Sequence, residues 1–560
     1  MSSNRSLSEN NGGAIPITRD DDPEAQGRVI DTMEEGRMSA SLELEPRRES
    51  LLREDSVDRS SSNRSSANSS RDDEGRARAV TMIGSVANLC SATLGAGILA
   101  LPFAFYQAGI ICGVLLLLIS ALATSSSIGL LVEACDRYNL STYEKIVEKG
   151  LGRNARKLVE ISILVFCCGT AVGYVIAVGD IMERVVPSLT TSQKQLSMSL
   201  VWCVAMLPLS CLKTMRSLEC ASSVGILSIG TLLAAAVVHL VRGDGSGGRG
   251  NDYGYSDDET LLESFSSEPA SIASLLGPAG GSWVSVLQAC PIFFYAFSCQ
   301  VNVAQIFDEL PAVRGGEKLP TMNRVTSTGV LVCGLLYASV SLVTLVDFGA
   351  SVEPNVLSNY DLGRGAQPLL HAAFLGMALA VVMAFPLNIF PARVSLIQMW
   401  EETTKENNNA SLSSSLPPEF EAVRQPLLSE EHRANGGGLD YNSDGESSGA
   451  AGSGEDPLHD ETGSHDDVDE PGGFRPVRHA FVTLLLASLA LGLALVVPNI
   501  SVVFGLLGGS TSSLLGFVVP GLLGLKLDHT RVGAWVLVVC GSMIGILTTG
   551  VTIYSMVHAS

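Results

Sequence analysis

Residues 79–109 read AVTMIGSVANLCSATLGAGILALPFAFYQAG, and the middle of this stretch governs the reading of the whole chain. From 80 to 106 it carries no charged side chain, and a bilayer-spanning helix needs only about 20 apolar residues. Gly95, Ala96 and Gly97 interrupt its centre. Glycine costs roughly 1 kcal/mol relative to alanine inside a helix, so small residues at membrane depth point to locally opened backbone. Free N–H and C=O groups cannot face hydrocarbon and must face protein or a water-filled cavity. A helix broken at the midplane is therefore a binding-site signature. A close-packing reading stands beside it, in which the small residues only admit a neighbouring helix. Gly95 and Gly97 are two apart and lie on different faces of an ideal helix, which favours the break.

Working outward, 46% of the 560 residues are hydrophobic, which places the chain among polytopic membrane proteins. The net charge of −21 belongs to two polar segments: residues 1–78 hold 17 acidic against 12 basic side chains, and 401–475 hold 18 against 4. Both are rich in Ser, Gly, Asn and acidic residues, a composition expected to stay disordered because it buries too little apolar surface. The acidity thus says little about a solute, and no basic patch points to nucleic acid. The cysteines fall in or beside apolar runs, with neither a disulfide framework nor a zinc spacing. No signal peptide precedes the first apolar run, so the first span is expected to do the targeting.

Length and lack of charge mark eleven apolar spans, at about 79–106, 109–134, 158–186, 196–212, 219–241, 282–309, 325–348, 366–398, 478–498, 500–525 and 532–557. With the N-terminus cytosolic, the alternating loops carry 19 Lys and Arg inside against 5 outside, as the positive-inside rule requires. A missed span would move every later loop to the other side and destroy that split. The expected organisation is a disordered cytosolic tail over 1–78, spans one to eight over 79–398 with an outer loop at 242–281, a disordered cytosolic loop over 399–476, and spans nine to eleven over 477–560. The C-terminus then lies outside the cell or in a lumen.

The sixth span, 283–310, reads WVSVLQACPIFFYAFSCQVNVAQIFDEL. Pro291 removes a helix hydrogen bond, and Ser298, Gln300 and Asn302 place polar groups at membrane depth. A simple proline kink in a packed helix is the alternative. Interruptions in spans one and six fit an inverted repeat of five plus five helices with one helix added. In such transporters half-helix N-termini face an anionic group and freed carbonyls face a cation. An amino acid offers both a carboxylate and an ammonium.

NLCSATLGAGILALPFAFYQAG at 88–109 resembles the first-span motif of the amino acid/auxin permease family. PIFFYAFSCQVNVAQIFDEL at 291–310, FPLNIFPARVSL at 385–396 and SVVFGLLGGSTSSLLGFVVPGLLGL at 501–525 resemble the sixth, eighth and tenth spans of its neutral amino acid transporter branch, within the amino acid-polyamine-organocation superfamily. The resemblance covers most of 79–557. It implies an all-α, leucine-transporter-like fold and secondary active transport of amino acids; the expected activity is transport of a small neutral amino acid by alternating access, coupled to a proton or sodium gradient and without a cofactor. Gly95, Ala96, Gly97 and Ile98 match the segment expected to hold the substrate carboxylate through backbone N–H groups, and Thr93 lies beside it. Phe297, Ser298 and Cys299 match the opened part of the sixth span, expected to line the side-chain pocket and meet the ammonium. The chain departs from the branch at Gln300, where His is common, and over 381–390, which contains no Ser or Thr hydroxyl for sodium. A hard cation wants oxygen ligands, so a proton is the natural substitute for sodium as coupling ion.

Asp180, at the end of a mostly apolar run, is the candidate gating or proton-linked group, with Gln300 as a second. RRESLL at 47–52 and RQPLL at 424–428 resemble endolysosomal or vacuolar sorting signals, which imply adaptor proteins as partners beside the substrate and the lipid bilayer, and a plasma or endolysosomal/vacuolar membrane as address. An amino acid sensor signalling through its cytosolic tails is the rival reading. A channel lacks a ring of charges or a repeated filter, and an enzyme lacks a metal-ligand cluster or a nucleophile–base pair.

Overall fold

The computed structural model of the chain describes residues 82–186, 189–212, 220–242, 275–310, 318–362, 367–415 and 474–559. Among them there is no strand. The two dileucine motifs, the tail 1–78 and most of the outer loop lie outside the described residues.

The opening stretch forms two helices, α1 (Met82–Thr93) and α2 (Gly97–Ala108), bent by 62° at the Gly-Ala-Gly interruption. Then come α3 (Ile110–Tyr138), the short α4 (Tyr143–Leu151) and α5 (Arg153–Val185). Helix α6 (Thr191–Val201) runs on through a π-turn at Trp202–Met206 into Leu207–Ser210, and α7 spans Cys220–Arg242. The second interrupted stretch gives α8 (Trp283–Ala296) and α9 (Gln300–Glu309). They are followed by α10 (Lys318–Phe348), α11 (Pro368–Ser415), α12 (Phe474–Ala494), α13 (Ile500–Leu527) and α14 (Val532–Ala559).

Counting α8 and α9 as one, eight helices among the described residues are long and apolar enough to cross a membrane, and nine when α1 and α2 form one bent span. At the fourth and ninth of the eleven expected places stand shorter helices, α6 and the apolar part of α12, Arg478–Ala494. The outward faces are apolar. On α3, Ile111, Leu115, Leu118 and Leu122 recur at helical spacing and are all exposed, a stripe that suits lipid rather than water. Helices α5 and α13 are the most enclosed, α7 and α14 the least.

Close approaches set the centre of the bundle. At Gly97 a side chain is missing where α2 meets α8: a Cβ there would stand 2.9 Å from the Ala296 Cα. Further along the same helices Phe105 and Phe293 pack with ring centroids 5.2 Å apart. Gly508 lets α13 touch the Pro291 carbonyl, which a Cβ would overlap. Helix α8 continues through Pro291, whose lost hydrogen bond does not end it. Helix α13 carries two π-turns, Gly508–Ser512 and Leu514–Val518, and side chains bond the second: Tyr143 donates to the Leu515 carbonyl at 2.8 Å and Ser127 to that of Gly516.

The polar loop expected to begin at 399 is helical as far as Ser415. Ion pairs explain this: Glu402 meets Arg156, Glu406 meets Lys157 at 3.1 Å, and Glu401 meets Arg478 at 2.6 Å. These tie the end of α11 to the starts of α5 and α12.

Candidate functional site

Thr93 ends α1, the chain bends at Leu94 and Gly95, and α2 begins at Gly97 with Ala96 as its N-cap, already in right-handed helical conformation. Here the Gly95 N–H turns back to the Thr93 carbonyl at 2.8 Å, and the Leu99 N–H reaches Ala96 at 3.0 Å. No side chain caps α2. The first N–H groups of a helix have no partner within it and carry the positive end of its dipole, so the start of α2 offers donors to an anion.

The facing break is at Phe297, Ser298 and Cys299, six residues beyond Pro291. The Ser298 hydroxyl donates to the Phe294 carbonyl at 2.9 Å, and the Gln300 side chain accepts from the Cys299 N–H at 3.1 Å. Side chains thus replace helix bonds that the break removes. One residue joins the two breaks: the Tyr337 hydroxyl, on α10, lies 2.7 Å from the Thr93 carbonyl and 2.8 Å from that of Ala296.

Between the breaks lies a cavity of about 360 Å³. Its walls are the two breaks, Phe166, Thr170 and Tyr174 of α5, Gly225, Ile226 and Ile229 of α7, and Met377, Val381, Ala384 and Asn388 of α11. The Tyr295 hydroxyl donates to Thr170 at 3.1 Å while its ring stacks on Phe504 at 4.2 Å. The Tyr174 hydroxyl sits beside Gly95, in hydrogen-bonding reach of the Ala96 backbone and the Asn388 amide. Among the described residues, no Asp, Glu, Lys, Arg or His lines the cavity.

At one end of the bundle the lining residues Asn88, Asn302 and Gln305 are exposed, so the cavity opens to the surface there. At the other end the buried Val356 and Leu357 pack over α2 and α5. Asp180 holds this cover: one carboxylate oxygen accepts from Asn355 at 2.8 Å and the other from Lys194 at 2.8 Å.

Of the residues singled out in the sequence, Thr93, Gly95, Ala96, Gly97 and Ser298 line the cavity. Ile98, Phe297 and Cys299 do not: each is buried in packing, with the Phe297 ring edge-on to Tyr337 at 5.3 Å. Asp180 belongs to the cover, and Gln300 faces Gly516 beside a separate void of about 10 Å³. Sequence reasoning passed over Tyr174, Tyr337, Thr170 and Asn388. Tyrosines inside otherwise apolar runs were the available signal, since a buried phenol needs a hydrogen-bond partner.

The family described as transmembrane amino acid transporter protein matches residues 78–559. The chain belongs to that family. Its members are transporters, not enzymes. Similar relatives of this amino acid transporter family member include Vacuolar amino acid transporter 6 of Saccharomyces cerevisiae, 25% identical over 455 residues, 80% of this chain and 90% of the relative. Sodium-coupled neutral amino acid transporter 7 of Rattus norvegicus is 24% identical over 332 residues, 57% of this chain and 65% of the relative. Among solved structures, a Na+-coupled sialic acid symporter in its substrate-bound outward-open state overlaps 85% of the transporter and 97% of its own chain, at 11% identity and a TM-score of 0.38. The Eremococcus coleocola manganese transporter overlaps 85% and 86%, at 12% identity and a TM-score of 0.39.

Proposed function

We propose that the chain carries a small neutral amino acid across its membrane by alternating access, driven by a proton or sodium gradient. The observation that carries this reading is a cavity without a charged side chain, set between the donors at the start of α2 and the carbonyl end of α8. The substrate carboxylate sits on the N–H groups of the first break, beside the Tyr174 hydroxyl. The ammonium points to the carbonyls and hydroxyl around Ser298. A charged side chain would find no counter-ion in these walls and would lose its hydration, a cost of several kcal/mol in low dielectric. Eleven crossings with a five-plus-five inverted repeat, and a cytosolic N-terminus, complete the reading. The open end of the cavity then faces the cytosol and the 355–360 cover closes the outer side. The S. cerevisiae relative's name and the two dileucine motifs support an endolysosomal or vacuolar address.

Uptake of radiolabelled amino acids into proteoliposomes, with pH and sodium gradients imposed separately, tests this. Neutral amino acids are expected to compete with one another, and arginine and glutamate are expected not to. Equal competition by charged amino acids would refute the assignment of the cavity.

A further inference from the structure

Backbone carbonyls released at broken helices are where a transporter of this kind coordinates a cation. In this chain the two carbonyls that face each other across the breaks are held by a side chain. The Tyr337 hydroxyl lies 2.7 Å from the Thr93 oxygen and 2.8 Å from the Ala296 oxygen, sharing one proton between two acceptors. Tyr337 is fully enclosed, and Thr93 and Ala296 are buried with it. The Thr93 oxygen also accepts the Gly95 N–H at 2.8 Å, so both of its lone pairs are used.

The surroundings are wrong for a hard cation. Sodium, like calcium or magnesium, is satisfied by about six oxygen ligands. Buried thiols share this neighbourhood: Cys333, one turn earlier on the same face of α10, is in hydrogen-bonding reach of Cys90, and Cys299 lies in the second break. Thiols are soft ligands that suit soft metals. The Thr93 hydroxyl already donates to the Leu89 carbonyl at 2.8 Å. The Phe297 ring meets the Tyr337 ring edge-on, with centroids 5.3 Å apart.

We propose that Tyr337 is a positioning residue whose hydroxyl takes the place of a cation at the junction of the two breaks. Its proton supplies the partial positive charge that the freed carbonyls require, and its hydroxyl ties α10 to both broken spans. Amino acid binding at this site therefore draws on no sodium ion at the junction. The inference rests on the transport reading above, and it adds that the two breaks are held in register by protein alone.

The test uses the full-length chain in proteoliposomes. KM and maximal rate for radiolabelled L-alanine and L-glutamine are measured in sodium chloride and in N-methylglucamine chloride, for wild type and Tyr337→Phe. The wild-type KM is expected to be the same in both salts. In Tyr337→Phe it is expected to rise about tenfold in both, because the lost hydroxyl takes its donor from the buried Ala296 carbonyl and leaves the Thr93 carbonyl with the Gly95 N–H alone. A wild-type KM that falls about tenfold on adding sodium, or a Tyr337→Phe KM equal to wild type, overturns the inference. A role confined to folding would lower the thermal midpoint of the variant and leave KM alone, which also overturns it. If the variant does not reach the membrane, the wild-type comparison decides. Absence of any wild-type uptake refutes the transport reading instead. The thermal midpoint of the purified wild type then decides the inference: no change with sodium supports it, and a rise with sodium overturns it.

Discussion

Gly97→Ala adds one methyl group at the tightest contact between the two broken spans. Its Cβ would stand 2.9 Å from the Ala296 Cα, 3.1 Å from the Ala296 Cβ and 3.5 Å from the Tyr295 ring. Carbon atoms settle at about 3.5–4.0 Å, so α2 and α8 must part by about 0.6–1 Å. The nearest obstacle is backbone and cannot rotate away. Overpacking of this kind costs about 1–3 kcal/mol. The parting acts on the junction as well, because Tyr337 spans it with hydrogen bonds of 2.7 and 2.8 Å, and a shift of about 0.6 Å takes one of them past useful length. Uptake at low substrate concentration should fall about tenfold or more, measured in proteoliposomes at matched protein content. Two neighbours calibrate the result. At Gly95 an added Cβ meets only the Tyr174 hydroxyl at 3.4 Å, and at Gly225, which also lines the cavity, it meets nothing within 4 Å. Gly95→Ala should be milder and Gly225→Ala near neutral. Wild-type uptake by Gly97→Ala, or a larger loss in Gly225→Ala, would refute the reasoning.

Gly508→Ala should be more damaging to the fold than Gly97→Ala, because the new Cβ overlaps the Pro291 carbonyl; a loss of about 3 kcal/mol should show as a lower thermal midpoint in detergent, and an unchanged midpoint would contradict the packing of α13 on α8. Tyr174→Phe removes the hydroxyl beside Gly95 and Asn388, so KM should rise by about fivefold to tenfold with the thermal midpoint nearly kept, which substrate-concentration series would check. His239 pairs with Asp347 at 2.7 Å across α7 and α10, with the Asp347 carboxylate 2% exposed. His239→Ala should cost about 2–3 kcal/mol and His239→Gln, which keeps a donor, distinctly less; equal midpoints for the two variants would show that the pair carries no stability.

Much of the architecture was legible in the residues. The first break could be read because three small residues stand inside a charge-free run, with Gly95 and Gly97 on different faces of an ideal helix. The second was harder. Pro291 drew attention, yet α8 passes through it and opens at Phe297, Ser298 and Cys299, where Ser298 and Gln300 can bond the backbone themselves. The motif resemblance pointed to those three positions, whereas the proline rule alone pointed six residues too early. The helix beyond 398 was not legible, because composition reports the lone segment and Glu401, Glu402 and Glu406 find their cations on other helices.

By itself the chain determined that it is a polytopic helical membrane protein, that its first apolar stretch breaks at Gly95 to Gly97, and that its acidity is concentrated in polar segments. These follow from hydropathy and backbone propensity, which act over a few residues. Only the tertiary structure decided that Tyr337 would meet carbonyls 244 and 41 positions away, that Ile98, Phe297 and Cys299 would turn into packing, and that the cavity wall would hold no charge. Side-chain direction at a break depends on how separate helices rotate and pack, and no local pattern records that.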